Sequence, residues 1–134
     1  MSEETNKGFW DDAEIIYAYT RAQAIEDGEL VDVSETAREA GIKFPVAVTR
    51  AVWVKYVEIP EGVTCQDERG RLWDILWMLR CNAGRGGDTL FFKLYVRNHN
   101  RERLTKADLV ILKAVCGPGD TPEPVITIML PDED

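Results

Sequence analysis

The chain has 134 residues, 45% of them hydrophobic and 30% charged, and a formal net charge of −8. A chain of that length suits one domain and buries roughly two-thirds of the surface its unfolded form exposes; its apolar content excludes wholesale disorder. No apolar run approaches the ~20 residues of a membrane-spanning helix, and the acidic, polar start MSEETNKGFW is wrong for a signal peptide, so the cytoplasm is the expected location.

The charge is unevenly placed. Residues 1–40 hold eleven acids and three bases, residues 41–119 thirteen bases and eight acids, and residues 120–134 five acids and no base. A basic middle therefore lies between two acidic ends. Such fields bear on partners and solubility, not on fold.

In chain order, residues 1–8 read as a flexible N-terminus. Asp11 to Gly28 reads as a helix: Asp11 and Glu14 have capping-box spacing, and Trp10 and Ile15 have staple spacing across that cap. Ile15, Ala18, Tyr19, Ala22 and Ile25 form one apolar stripe, and Gly28 supplies a stop. Leu30, Val31 and Val33 read as a short apolar link. Ser34 is expected to cap a second helix through Ala40, ended by Gly41. Pro45 fits the first turn of a third helix from about Val46 to Tyr56, although Val52 to Ile59 also alternates like a strand. Arg71 to Arg80, RLWDILWMLR, is apolar nearly all round and predicts a central buried helix that starts near Gln66 or Asp67. The tract from Asn82 to Asp88 opens into a loop.

The period then changes to two. Leu90, Phe92, Leu94 and Val96 should face one way, and Phe91, Lys93, Tyr95 and Arg97 the other. Asn98, His99 and Asn100 mark a turn. Leu109–Val115 and Val125–Leu130 read as further strands, central in the sheet or covered on both faces. The Gly- and Pro-rich tract from Cys116 to Pro124 reads as a loop. Helices first and strands last predict an α+β domain over residues 9–131: three to four helices from the N-terminal two-thirds, packed on one face of a small antiparallel sheet of three to four C-terminal strands. Residues 132–134 form an acidic tail.

Few residue patterns carry chemistry. The only histidine, His99, has no Cys or His neighbours at zinc spacing. Cys65, Cys81 and Cys116 are widely spaced and read as buried or partly buried thiols. GRGGD at Gly84–Asp88 lacks the Lys-Ser/Thr ending of a phosphate loop and precedes a strand. Asp67-Glu68 and the acids at 11–14 sit at helix starts, where they are stabilising. Val33 to Trp53 echoes a helix-turn-helix that would place Arg50 and Lys55 near phosphates, but Pro45 and the acidic first forty residues oppose it. No catalytic residue, metal or cofactor is expected.

Four strings carry a resemblance: YAYTRAQAIEDGELVDV from Tyr17, AREAGIKFPVAVTRAVW from Ala37, QDERGRLWDILWMLR from Gln66, and GPGD followed by PVITIMLP near the end. With them the chain resembles, over about Phe9 to Asp134, a family of small uncharacterised bacterial proteins carried on plasmids, phages and integrated elements. The resemblance implies an accessory protein of mobile DNA and transfers no reaction.

The first functional expectation is a non-enzymatic acidic protein that binds a basic, nucleic-acid-handling partner, acting as an anti-defence inhibitor. Asp11, Asp12, Glu14, Glu26, Asp27, Glu29, Asp32, Glu35 and Glu39 would make the contact, with electrostatic steering speeding the encounter. The alternative is a nucleic-acid module. Its basic hairpin interleaves Tyr95 with Lys93, Arg97, Arg101, Arg103 and Lys106, as a single-strand platform does; the competing account is that these bases pair with the acidic N-terminal helix. A small enzyme with a carboxylate site is the third, because AIEDGEL faintly resembles a turn of ADP-ribosyltransferase-like folds.

Overall fold

The computed structural model describes residues 19–63, 67–84, 87–98 and 108–133. Helix α1 is Arg21–Glu26. Thr20 is extended at φ −74, ψ 157; its hydroxyl accepts the Gln23 N–H, and the Gln23 side chain accepts the Thr20 N–H, a reciprocal capping box. No continuous helix therefore runs from Asp11 to Gly28, because Thr20 starts a new one; the expected cap at Asp11–Glu14 lies outside the described residues. The Asp120 carboxylate accepts the first two helical N–H groups, from Arg21 at 2.8 Å and Ala22 at 3.0 Å. Gly28, at φ +81, ends the element as expected.

Next come β1 (Leu30–Asp32), α2 (Ser34–Glu39) and β2 (Val46–Thr49). The position before α2 is Val33, with Ser34 already inside the helix. The Ser34 hydroxyl instead donates to Asp32 at 2.6 Å and accepts the Val46 N–H at 3.0 Å, which fastens α2 to β2. The third helix starts later than expected. Arg50–Val52 forms α3, capped by the Thr49 hydroxyl, and continues into a π-helical turn, Trp53–Val57. With β2 between α2 and α3, the helix-turn-helix reading falls.

The long helix α4 is Glu68–Asn82, capped by the Asp67 side chain. It is buried along one side and not all round. Arg71, Leu72, Ile75, Leu76 and Leu79 are buried, whereas Asp74, Trp77, Arg80 and Cys81 are exposed. Strands β3 (Thr89–Val96), β4 (Asp108–Pro118) and β5 (Pro124–Met129) complete the chain. Both ends of the tract expected to be a loop from Cys116 to Pro124 are strand, with Cys116, Gly117 and Pro118 paired to Ile126, Val125 and Pro124, while residues 119–123 form the connection.

The five strands form one mixed sheet in the order β1-β2-β5-β4-β3. β2 and β5 run parallel and every other pair is antiparallel. The expectation of three to four antiparallel C-terminal strands is therefore corrected. Two strands come from the N-terminal half, and both lie in short apolar runs whose period is ambiguous. The β-branched Val46, Val48 and Thr49 favour the pleated state once β1 and β5 flank them.

Side chains alternate between two faces. Val46, Val48, Ile128, Leu112, Phe92 and Leu94 meet α4 and the π turn in the main core. On the opposite face Ala47 and Met129 are buried outside that core. There the Arg21 guanidinium reaches the Thr127 hydroxyl at 2.6 Å and the Ile126 carbonyl at 2.8 Å, which ties α1, packed beside β1, to the second face at β5. Helices thus flank both faces, not one.

Arg71 is the only charged side chain among the buried described residues, at 6% exposure. Its guanidinium donates to the carbonyls of Val57 (3.1 Å) and Arg97 (2.6 Å) and to the Asn98 side chain (2.6 Å). One side chain thereby joins α4, the π turn and the end of β3. Hydrogen bonds to a charged donor in a low-dielectric site are stronger than neutral ones, and acceptors left unpaired there carry a desolvation cost. Arg71→Met is expected to lower stability by about 2–4 kcal/mol, measured as a lower urea midpoint at unchanged slope. Arg71→Lys should recover less than half of that, because one ammonium cannot span three divergent acceptors.

Candidate functional site

Among the described residues, the second face of the sheet is covered only in part. Beyond α1, β3 and β4 present Phe91, Lys93 and Tyr95 opposite Lys113, Ile111 and Leu109 in successive cross-strand pairs. The exposures are 56% for Phe91, 68% for Tyr95, 53% for Leu109 and 44% for Ile111. Four large apolar side chains side by side, three of them more than half open to water, form a contiguous patch and not scattered surface residues. The alternation that produces it is the one expected for β3: Phe92, Leu94 and Val96 are buried on the core side.

Two lysines sit within the patch. Lys93 lies between the two β3 rings and has no hydrogen-bond or ion-pair partner among the described residues. The Lys113 ammonium donates to the backbone carbonyl of Glu133. Arg97 follows β3 and gives its carbonyl to Arg71. Arg101, Arg103 and Lys106 lie outside the described residues. Sequence reasoning named Lys93 and Tyr95 and missed the β4 half, Leu109, Ile111 and Lys113. The signal was the alternation of these residues with Val110, Leu112 and Ala114, hidden because both sets are largely apolar.

The acidic candidates collect at the opposite edge. Glu26 ends α1, Asp27 and Glu29 follow it, Asp32 lies on β1, and Glu35 and Glu39 are on α2. Most of these carboxylates have local work. Asp27 accepts the Tyr19 hydroxyl at 2.6 Å, and Asp32 accepts the Ser34 hydroxyl and N–H. Glu29 pairs with Arg50 at 3.7 Å, and Glu39 with Arg69 at 3.0 Å. Glu26 and Glu35 are exposed and have no such partner among the described residues. Asp11, Asp12 and Glu14 lie outside the described residues. β2, β5 and β4 separate the acids on β1 from Lys93, so Lys93 and these acids are not paired.

A polar groove lies beside α4, lined by Glu39, Asp67, Arg69, Trp73 and Asp74 among others. Asp67 is engaged as the α4 cap and Glu39 pairs with Arg69, while the partial desolvation of the Asp74 carboxyl, on a residue that stays exposed, pushes it above its ordinary value. Among the described residues no group of three or more His, Cys, Asp or Glu could hold a metal ion. Cys81 is exposed, against expectation, and Cys116 is half-buried, as expected; Cys65 lies outside the described residues. No helix among the described residues is long and apolar enough to cross a membrane.

Fold and face together define a small α+β domain with a mixed five-stranded sheet, one half of whose second face is open. The chain belongs to a family of unknown function, DUF6573, whose pattern matches residues 6–134. No curated protein and no solved structure matches it.

The hydrogen bond to Asp27 pushes the Tyr19 phenol from 10.0 up to about 12, because ionising it would set two anions against each other. Its folded-state value is raised, so its contribution is full below about pH 10 and is lost as pH climbs toward 12. Spectrophotometric titration at high pH should show one late-ionising tyrosine. Tyr19→Phe should remove that step and flatten the loss of stability between those pH values.

Proposed function

We propose that this protein is a non-enzymatic binding module that holds single-stranded nucleic acid on the open β3–β4 face. One observation carries the reading: Phe91 and Tyr95 flank Lys93 on the same exposed face of one strand. Aromatic rings on a sheet give bases a surface to stack on, and a lysine between them answers the phosphates. Stacking suits any base, so the interaction is sequence-tolerant. Among the described residues few cations line the face, so stacking would supply most of the affinity and salt dependence would be shallow.

The acidic reading has less support. Four of its six described carboxylates are tied to partners in their own neighbourhood, which leaves Glu26 and Glu35 to greet a basic protein. The acids of the β1 edge fit better as a repulsive pole that keeps a nucleic acid on the other side. An accessory role in mobile DNA, in the bacterial cytoplasm, belongs to this proposal as its setting. An element that is copied or transferred exposes single strands.

Fluorescence anisotropy with labelled oligothymidylate and oligouridylate tests this. The full chain should bind with a dissociation constant on the order of micromolar at low salt, with a log–log salt slope of about −1 to −2. Phe91→Ala and Tyr95→Ala should each weaken binding about 5- to 100-fold, the equivalent of ~1–3 kcal/mol per stacked base. Both sites are exposed, so circular dichroism and the urea midpoint should stay unchanged. No anisotropy change at high micromolar protein, or equal binding by both variants, overturns the reading.

A further inference from the structure

A second site lies on the helix-covered face, away from β3–β4's open face and independent of the function proposed for it. A cavity of about 360 Å³ opens between the Gly41–Phe44 loop and the end of α4. Its apolar wall is formed by Leu79, Leu90, Ala114 and Ile126, and Cys116 also faces it. The space comes from residue size: Ala114 lies opposite Leu90 on β3 and next to Ile128 on β5, where a longer side chain would fill the gap. The cavity opens to the surface at one end, and its volume falls within the range of small-ligand pockets.

The mouth of the cavity carries two cations, Lys43 and Arg80. Neither has a carboxylate partner among the described residues, in a chain with more acids than bases. Arg80 lies across the exposed Trp77 and Gly41: its guanidinium is 5.4 Å from the Trp77 ring, and its Nε is 2.5 Å from where a Cβ on Gly41 would be. Gly41 is therefore required twice, for its φ of +93 and for the room it leaves Arg80.

We propose that this cavity binds a small organic anion with an apolar body, a carboxylate on a hydrocarbon chain or ring. The hydrocarbon would lie along Leu79, Leu90 and Ile126, and the carboxylate would meet Arg80 and Lys43. A guanidinium at the cavity mouth is suited to a carboxylate, which it can engage with two parallel hydrogen bonds.

Decanoate below its micellar concentration is the probe, with decanol as the neutral control. Calorimetry on the full chain should show decanoate binding at one site and decanol at least about tenfold more weakly. Arg80→Gln should weaken decanoate about tenfold and leave decanol unchanged. Cys116 provides a second readout. Decanoate should slow its alkylation by iodoacetamide about fivefold, read by peptide mass spectrometry, without slowing that of the exposed Cys81. Ala114→Leu should abolish that protection by filling the cavity. Equal binding of decanol and decanoate, or unprotected Cys116 at saturating decanoate, overturns the proposal. Oligonucleotide binding should be indifferent to decanoate, so failure here and failure of the sheet-face reading are separable.

Discussion

The parallel pairing of β2 with β5 is the constraint on which the rest of the structure depends. Val46, Ala47 and Val48 lie beside Ile126, Thr127 and Ile128, and the Ile126 N–H also donates to the Pro45 carbonyl. Val46, Val48 and Ile128 are fully buried there. The pairing joins the N-terminal unit of α1, β1, α2 and β2 to the antiparallel β3–β4–β5 meander. Several other links cross the same seam: Asp120 onto the start of α1, Arg21 onto Thr127, and Glu133 onto the Thr49 hydroxyl. A parallel contact between segments so far apart in the chain closes a long loop before it gains anything, so it is expected to form late in folding.

That seam also decides where the charges go. It sets β1 at one edge of the sheet and β3 at the other, four strand spacings or roughly 19 Å apart. The acids around β1 and α2 and the lysine on β3 therefore form opposite poles, beyond a Debye length of about 8 Å at physiological salt. The seam positions α1 as well. With Asp120 at its start and Arg21 against Thr127, α1 packs beside β1 and is tied across to β5, and none of its contacts among the described residues falls on the exposed side chains of β3 and β4.

Much of this was legible in the sequence. The two-residue period of β3 assigned Phe92, Leu94 and Val96 to the core and Phe91, Lys93 and Tyr95 to the outside, as found. The Gly28 stop, the Asp67 cap and the central positions of β4 and β5 also held. The missed elements have physical reasons. β1 is three residues long and β2 four, too short for a period to declare itself. Thr20 is a cap only because its neighbour Gln23 returns the bond, a signal overridden by the apolar stripe that runs through it. The stretch Arg71 to Arg80 looked apolar all round because Trp77 is hydrophobic by type although the fold exposes it. The open face was half legible: β3 announced its outward residues, while the apolar Leu109 and Ile111 on β4 imitated a strand covered on both sides.

The account comes down to which surface meets a partner, and backbone amide chemical-shift mapping answers that most directly. Titrating isotope-labelled protein with unlabelled oligothymidylate should shift the amides of Phe91, Lys93, Tyr95, Leu109 and Ile111, leaving Glu26 to Glu39 unmoved. Shifts confined to the β1–α2 edge, or no shifts on β3 and β4, would contradict it.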